Sequence, residues 1–490
     1  MTETIAASKP FQDLTARTGL SMSAVVSRET PFSSTGLFRF LIAIVLALVL
    51  IPAQPVFSYE DLFSSRVVAT GLDYPWQITW GPDTHLWVTE RKAKKVTRVN
   101  PTNGSKTVTV IISEAYAKGS QMGLLGMALH PKLLQRTGED YVYVAYTYME
   151  GLEVSGTRHA KIRRYTYDPL TQSLGKPLDI ISGLPASDDH NAGRLKIGPD
   201  GKLFYTIGDQ GANQSWNKCT VNRAMDLPSA AEVNARDWSL YQGKILRLNL
   251  DGSIPIDNPV IGNVRSHIYS YGHRNTQGIV FAPTGKLYSS EHGPKTDDEV
   301  NLIKAGRNYG WPRVAGYIDN KAYSYDNWSA AKPTPCKSLE YSAVHTPSEV
   351  PRLKESSFVD PNFVPPMKTF GTVDDDFKFE RPDCSGNSCY PSIAPSSIEI
   401  YSSTAIPHWG NSLLIPSLKR GTVFRLQLSA DGNSIVGEAV EIWQTKNRYR
   451  DVALNPDGKT FFVATDNDGG QNPGAILQFQ YQSPKPGDAK

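Results

Sequence analysis

The segment Ser187–Gly211, SDDHNAGRLKIGPDGKLFYTIGDQG, places a histidine directly behind two aspartates. Imidazole changes charge near neutral pH, and a neighbouring carboxylate can select its tautomer and raise its basicity. Asp189 and His190 could therefore act as a general base, with Asp189 orienting the ring. Alone, the pair reads first as an ordinary solvated loop histidine. In YGHRNTQG (271–278), Arg274 and Asn275 stand just before a glycine and a strand. Such a guanidinium can meet a carboxylate, a phosphate or a developing oxyanion, or it can cap carbonyls at the strand entry. Asp297, Asp298 and Glu299 form an acidic triplet, and Asp319 follows across a Gly- and Tyr-rich loop. Calcium takes roughly six to eight oxygens, many from carbonyls of irregular loops, so this region could bind it. A charged turn is the other reading. Finally, Lys419 in PSLKRGTVF, with Arg448 and Arg450 in NRYRDV, supplies a set of cations. Two arginines two positions apart share one face of a strand, where their repulsion asks for a polyanionic ligand unless water solvates both.

What must position these groups is a repeated β unit. An apolar segment, a Pro-Asp-Gly-like turn and a β-rich segment recur in ITWGPDTHLWVTE (78–90), LKIGPDGKLFYTIGD (195–209), IVFAPTGKLYSSE (279–291) and VALNPDGKTFFVATD (452–466). Looser copies lie at 126–148 and 408–428. Strands of the type KVTRVN (95–100), IRRYTY (162–167) and KILRLNL (244–250) follow several copies. These segments are too short, and too rich in β-branched and aromatic residues, for helices. About six copies over about 430 residues leave about 70 residues per unit, the length of a four-stranded blade with generous loops. The expectation is an all-β fold, a six-bladed β-propeller of four-stranded antiparallel blades. Its ligands would sit at the channel mouth, on loops between strands. Short helices are expected near 115–118 and 229–236, and residues 320–390 read as a long loop insertion.

The composition is that of a globular chain: 490 residues, 40% hydrophobic and 20% charged, with a net charge of +3. That balance gives no reason to expect nucleic acid or an anionic membrane as partner. Residues 40–51, FLIAIVLALVLI, form an uncharged run after Arg39. The run is shorter than the about 20 residues of a comfortable membrane span. With its basic flank and the small residues at Val56 and Ser58 it reads as a secretory signal cut near Ser58. Residues 1–58 are then a signal region and 59–490 a single propeller domain, periplasmic or secreted. Met22 is an alternative start, and retention as an anchor is the alternative to cleavage. Export permits disulfides. Cys384 and Cys389 lie close enough in one loop to bridge, Cys219 and Cys336 could pair or stay free, and no spacing resembles a zinc site.

The blocks HNAGRL, YTIGDQGANQ, GKILRLNLDGSIPIDNP, SHIYSYGHRNTQG, SEHGPKTDDEVNLI, NYGWPRVAGY, NFVPP, APSS, PSLKRG and NRYRDV, in this order, resemble the soluble quinoprotein glucose dehydrogenase family. The resemblance spans about residues 66–481. It implies a six-bladed propeller that binds pyrroloquinoline quinone (PQQ) and calcium and oxidises aldoses at C1 to the lactone. By the same resemblance, His190 takes the C1 hydroxyl proton, Asp189 orients it, and Arg274 stabilises charge on the quinone oxygen. Lys419, Arg448 and Arg450 hold the quinone carboxylates, and Asn275 and Ser392 add contacts. Ser392 stands where the family shows Thr, and Tyr390 where a Trp flanks the cofactor. Gln121 and Gln214 match substrate-side glutamines. Main-chain carbonyls of Gly293 and Pro294 would hold the calcium at the quinone. Asp298, Glu299, Tyr309, Ala315, Tyr317, Asp319 and Glu355 match a structural calcium pair. The partners implied are a sugar, an external electron acceptor (a quinone or redox protein) and a second copy in a homodimer. Ser215 replaces a family Leu at the substrate rim, CSGNSCYPS is shortened between its cysteines, and 215–240 differs, so the preferred aldose stays open. Two rivals share the fold. A calcium-dependent lactonase needs an inward Asp, Asn and Glu cluster but not the Lys-Arg-Arg set. A non-catalytic sugar-binding propeller would be favoured by loss of the base or of the cations.

Overall fold

The computed structural model describes residues 62–153, 156–384 and 386–483. The expected signal region 1–58 lies outside the described residues. Six four-stranded antiparallel sheets form the blades of a β-propeller. Blade 1 comprises Pro75–Trp80, Leu86–Glu90, Lys95–Val99 and Lys106–Ile111, and blade 2 Leu124–Leu129, Tyr141–Glu150, Thr157–Asp168 and Ser173–Pro185. Blade 3 comprises Leu195–Ile197, Leu203–Ile207, Lys244–Leu248 and Ile268–Tyr271, and blade 4 Thr276–Phe281, Leu287–Glu291, Asp298–Ile303 and Lys368–Phe370. Blade 5 comprises Glu399–Tyr401, Ser412–Pro416, Val423–Leu428 and Ile435–Ile442. Blade 6 comprises Tyr449–Leu454, Thr460–Thr465 and Ile476–Tyr481, and its outer strand is Phe63–Ala69, paired antiparallel with Ile476–Tyr481. The first described strand thus closes the ring on the last, which removes a free edge from that blade.

The Pro-Asp-Gly turns connect first and second strands, and their residues explain them. At Gly198–Lys202 the Asp200 carboxylate accepts from Lys202 N at 3.0 Å, and Gly201 takes φ +71°, where a Cβ is disfavoured. Gly285 and Gly458 take the same role at φ +84° and +66°. In blade 1 Thr84 occupies the left-handed position at φ 59°. Between the blades, apolar faces of neighbouring sheets pack into separate clusters. One joins blades 2 and 3 through Ile162, Leu195 and Leu246, and another joins blades 5 and 6 through Tyr401, Trp409, Phe461 and Leu477. Across the channel, Arg194 donates to Asp451 Oδ2 at 2.9 Å and to the carbonyls of Gln277 and Ser396, tying blade 3 to blade 6 and to the strand entries of blades 4 and 5.

Antiparallel alternation sorts the connections. First-to-second-strand turns leave one end of the propeller. Second-to-third-strand loops, and the loops leading into the next blade, leave the other. The connection of blade 4 between Ile303 and Lys368 is the exception. It climbs beside blade 3, where Asn308 bridges Tyr271, and reaches the loop end, where Gly316 N donates to Glu299 Oε1 at 2.7 Å. The sequence predicted one loop over 320–390, but the structure places the strand Lys368–Phe370 inside it, held by pairing to Asp298–Val300. Of the two expected helices, Ala230–Ala235 forms, with Ser229 and Glu232 in a reciprocal capping box. Residues 115–118 are not helical. Disulfides join Cys219 to Cys336 and Cys384 to Cys389.

Candidate active site

His190 stands on the loop entering blade 3, 5% exposed, with φ 48°. A left-handed backbone at a residue with a Cβ is costly, and the neighbourhood holds it in place. Asn191 bonds Ser187 through both its amide oxygen and its amide nitrogen, at 3.0 and 2.7 Å. Gly208 passes so close that a Cβ there would lie 2.0 Å from His190 O. The ring is fixed from behind by Asp209, not by Asp189. His190 Nδ1 donates to Asp209 Oδ1 at 2.7 Å. Asp209 is fully buried and also accepts from Trp311 Nε1 at 2.7 Å, Asn222 Nδ2 at 2.9 Å and Gly211 N at 2.9 Å. Burial pushes its carboxyl up, but His190, Arg274 and these donors outweigh that and hold it below the usual range. An ionised Asp209 fixes the proton on Nδ1 and leaves the Nε2 lone pair facing outward.

Two groups flank that lone pair. Gln214 Nε2 lies 3.2 Å from it, and Asp189 Oδ2 lies 3.6 Å away. Asp189 Oδ1 in turn accepts from His190 N at 3.0 Å and from the Gln121 amide. Gln214 Oε1 accepts from Arg274 Nη2 at 3.2 Å, so one side chain bridges the imidazole and the guanidinium. Arg274 also donates to His292 O at 3.1 Å and lies 5.3 Å over the Trp311 ring, and its backbone N is taken by Glu291. Burial, then the nearby Arg274 charge, pushes His292 down to about 3.

The cations gather on the same end, and their partners differ. Arg450 is paired internally: its guanidinium meets Asp466 and stacks 4.5 Å over Trp76. Burial raises Asp466, but Arg450 overrides this and brings it to about 2. The two arginines of RYR therefore do not share one unmet charge; Asp466 already answers Arg450. Lys419 Nζ donates to Asn387 O at 2.6 Å and to Tyr390 O. Arg448 Nε is buried with no hydrogen-bond partner, as are Arg274 Nε, Asn275 Nδ2 and Arg91 Nε.

The model of the glucose / sorbosone dehydrogenase family matches residues 72–356 and 370–477. This chain belongs to that family. Its sequence is 44% identical to quinoprotein glucose dehydrogenase B of Acinetobacter calcoaceticus over 453 residues, covering 89% of this chain and 94% of that one. It is 26% identical to the aldose sugar dehydrogenase YliI of Escherichia coli, over 83% of this chain and 91% of that one. Among solved structures, the PQQ-bound aldose sugar dehydrogenase of Streptomyces coelicolor superposes with a TM-score of 0.58 at 25% identity, over 86% of this chain and 98% of that one.

The remaining expected residues of this sugar dehydrogenase family member fall into two groups. Gly293 and Pro294 lie on the loop after His292, and Gly293 N donates to Asp298 Oδ1 at 2.9 Å. Asp298 is fully buried and accepts further from Ser392 Oγ at 2.8 Å, Ile393 N at 2.6 Å and Ala394 N at 3.1 Å. Its carboxylate and the Ser392 hydroxyl thus already serve each other, and they brace the loop that carries Tyr390. Beyond them, Glu299 accepts from Gly316 N, and Glu355 from Ala315 N at 3.0 Å and Asn320 N at 2.9 Å. Asp319 N donates to Tyr317 O at 2.9 Å, and Tyr309 donates its hydroxyl to Leu302 O and stacks on His273. Burial pushes Asp297 and Asp298 up to about 6 and Glu355 to about 7, with the Asp319 charge adding to the rise of Asp297 and Glu355. Among the described residues, no three His, Cys, Asp or Glu side chains converge on one point at metal-binding geometry. Sequence reasoning missed Asp209, Trp311 and Asn222. The first sits at the end of the strand segment KLFYTIGD, but its pairing with His190 joins two loops and has no local signal.

Proposed function

We propose that the protein oxidises aldoses at C1 to the lactone, with PQQ and calcium bound at the loop end of the propeller. The observation that carries this reading is a set of buried, unpartnered donors at the loop end: Arg274 Nε, Asn275 Nδ2, Arg448 Nε and Arg91 Nε. Buried donors without acceptors are costly, and a ligand rich in carboxylate and quinone oxygens supplies acceptors. Arg448 and Asn275 would hold that ligand directly. Lys419 would turn from the carbonyls of Asn387 and Tyr390, Tyr390 would flank the ring, and Arg450 and Ser392 would support the site while bonded to Asp466 and Asp298. The quinone, when bound, is a two-electron acceptor for the C1 hydride. His190 Nε2 takes the C1 hydroxyl proton as the carbonyl forms, and Asp209 stabilises the resulting imidazolium through Nδ1–H. Arg274 stabilises negative charge that develops beside it. Gln214, Gln121 and Asp189 border the sugar's side of Nε2 and position its hydroxyls. Calcium would rest on carbonyls of Gly293 and Pro294, with structural calcium at Asp298, Glu299, Tyr309, Ala315, Tyr317, Asp319 and Glu355. The reading includes export to the periplasm or medium, which the apolar run at 40–51 and two disulfides support, an external electron acceptor and a homodimer.

Reconstitution tests it. The purified chain is given PQQ and calcium, and dye reduction is followed with a panel of aldoses. Sugar-dependent reduction that needs both additions is the expected result. Quinone binding without reduction moves the substrate outside simple aldoses, and no quinone binding at all overturns the reading.

A further inference from the structure

Lys244 opens the third strand of blade 3 at the loop end, and its side chain is fully buried. Three carbonyls answer its ammonium, in place of a carboxylate: Gln242 O at 2.7 Å, Ala224 O at 2.8 Å and Arg223 O at 3.1 Å. Burial, opposed by the Asp226 charge, brings its pKa down to about 7. Desolvating an ammonium is costly, and a methionine fills nearly the same space without that cost. What a methionine cannot do is bind carbonyls, so the use of this lysine is sought in what those carbonyls belong to.

Two of them directly follow Asn222. Asn222 Oδ1 accepts from Ala224 N at 3.0 Å, which settles the orientation of the amide, and its Nδ2 donates to Asp209 Oδ2 at 2.9 Å. The other oxygen of Asp209 accepts from His190 Nδ1 at 2.7 Å. The third carbonyl, of Gln242, directly precedes Gly243. Gly243 N donates to Gly208 O at 2.9 Å, beside Asp209, and Gly243 O accepts from His273 N at 3.2 Å, beside Arg274. These segments are in close contact: a Cβ at Gly243 would lie 2.5 Å from both Ala224 Cβ and His273 O. From this arrangement we infer that Lys244 is a positioning residue for the base. Its ammonium gathers the Asn222 turn against the strand end, so that Asn222 holds the Asp209 carboxylate in the orientation His190 needs. The inference rests on the dehydrogenase reading above and deepens it by a further layer of support behind the base. Asp209 Oδ2 keeps a second donor in Trp311 Nε1 at 2.7 Å, so loss of the Asn222 contact loosens the carboxylate without releasing it.

Lys244→Met and Asn222→Ala are the variants, alone and combined, with thermal unfolding to check that each is folded. In proton NMR of the full chain without added quinone, a downfield imidazole N–H signal that is missing in His190→Gln marks the bond to Asp209. Both single variants should broaden that signal or move it upfield. In the loaded enzyme each should lower kcat by about tenfold and leave KM for an aldose within about twofold. The acid limb of the kcat profile should move to lower pH, because a looser Asp209 stabilises the imidazolium less. The double variant should lose no more than the worse single one, since both changes act on one contact. A wild-type signal and profile in folded Lys244→Met overturns the inference, as do losses that multiply in the double variant. If Lys244→Met does not fold, Lys244→Gln takes its place, a shorter side chain that cannot reach all three carbonyls, and the same outcomes decide. If the loaded wild type oxidises no aldose, the proposed reaction fails, and the imidazole signal still decides whether Lys244 holds Asp209 on His190.

Discussion

The two ends of the propeller are built from the same six sheets and obey different rules. At the turn end, Gly198–Lys202 and Ala282–Lys286 close through the same backbone bonds and Asn455–Thr460 through a pair one residue longer, each with its glycine left-handed at the same place. At the loop end, no two blades contribute alike. Blade 3 brings His190, Asp209 and Gln214; blade 4 brings Arg274 and the acidic loop; blades 5 and 6 bring Lys419 and Arg448. The difference teaches where selection for geometry stops. A turn satisfies only its own strands, so one local solution serves every blade. A loop at the mouth must meet groups from other blades, so each is particular.

Breaking the loop end should cost activity without cost to the fold. His190→Gln should lower kcat by about 10²–10⁴-fold while quinone affinity is retained. Asp209→Asn should come close to that loss, because an amide no longer selects the Nδ1–H tautomer, whereas Asp189→Asn should cost less than about tenfold. Steady-state kinetics of the three variants check this, and equal losses for Asp189 and Asp209 would contradict the geometry. Next in size, Arg448→Ala should weaken quinone binding by about 10–100-fold, the worth of a charge-assisted hydrogen bond. Equilibrium titration of the metal-loaded chain reads it, with unchanged affinity removing Arg448 from the quinone site.

A smaller effect concerns the acidic loop. Asp297 and Asp298 at about 6, and Glu355 at about 7, lie above the ordinary range of a free carboxyl. The folded protein then binds more protons than the unfolded chain between about pH 4 and 7, so its stability falls as pH rises through that window. Without added calcium the melting temperature should drop from pH 5 to pH 8, and calcium should restore more at pH 8 than at pH 5. A flat profile would mean that these carboxylates do not gather a cation. The smallest effect belongs to the turn end. A Cβ at Gly201 would meet open space, so Gly201→Ala carries only the cost of its φ, about 1–2 kcal/mol. Thermal unfolding should record a drop of a few degrees with kcat unchanged.

Much of this molecule was legible in its sequence for one reason: its signals were local. Alternating apolar residues and turn glycines specified strands and their connections, and the ring followed from repetition. His190, Arg274, Arg448 and the acidic triplet stood out because their types are chemically loud. The pairings were not legible. Arg450 looked like a free cation until Asp466, just past the end of the strand Thr460–Thr465, proved to hold it. Ser392 looked free for a ligand and bonds Asp298 instead.

The sequence by itself determined the six-bladed β fold, the family and most of the residues that surround the candidate site, because periodicity and composition act over a few neighbouring positions. Only the tertiary structure decided that Asp209 holds His190, that Gln214 links it to Arg274, and that the insertion of blade 4 climbs beside blade 3 to the loop end. Those contacts join loops far apart in the chain, and their energies depend on burial and distance, which exist only once the blades have packed.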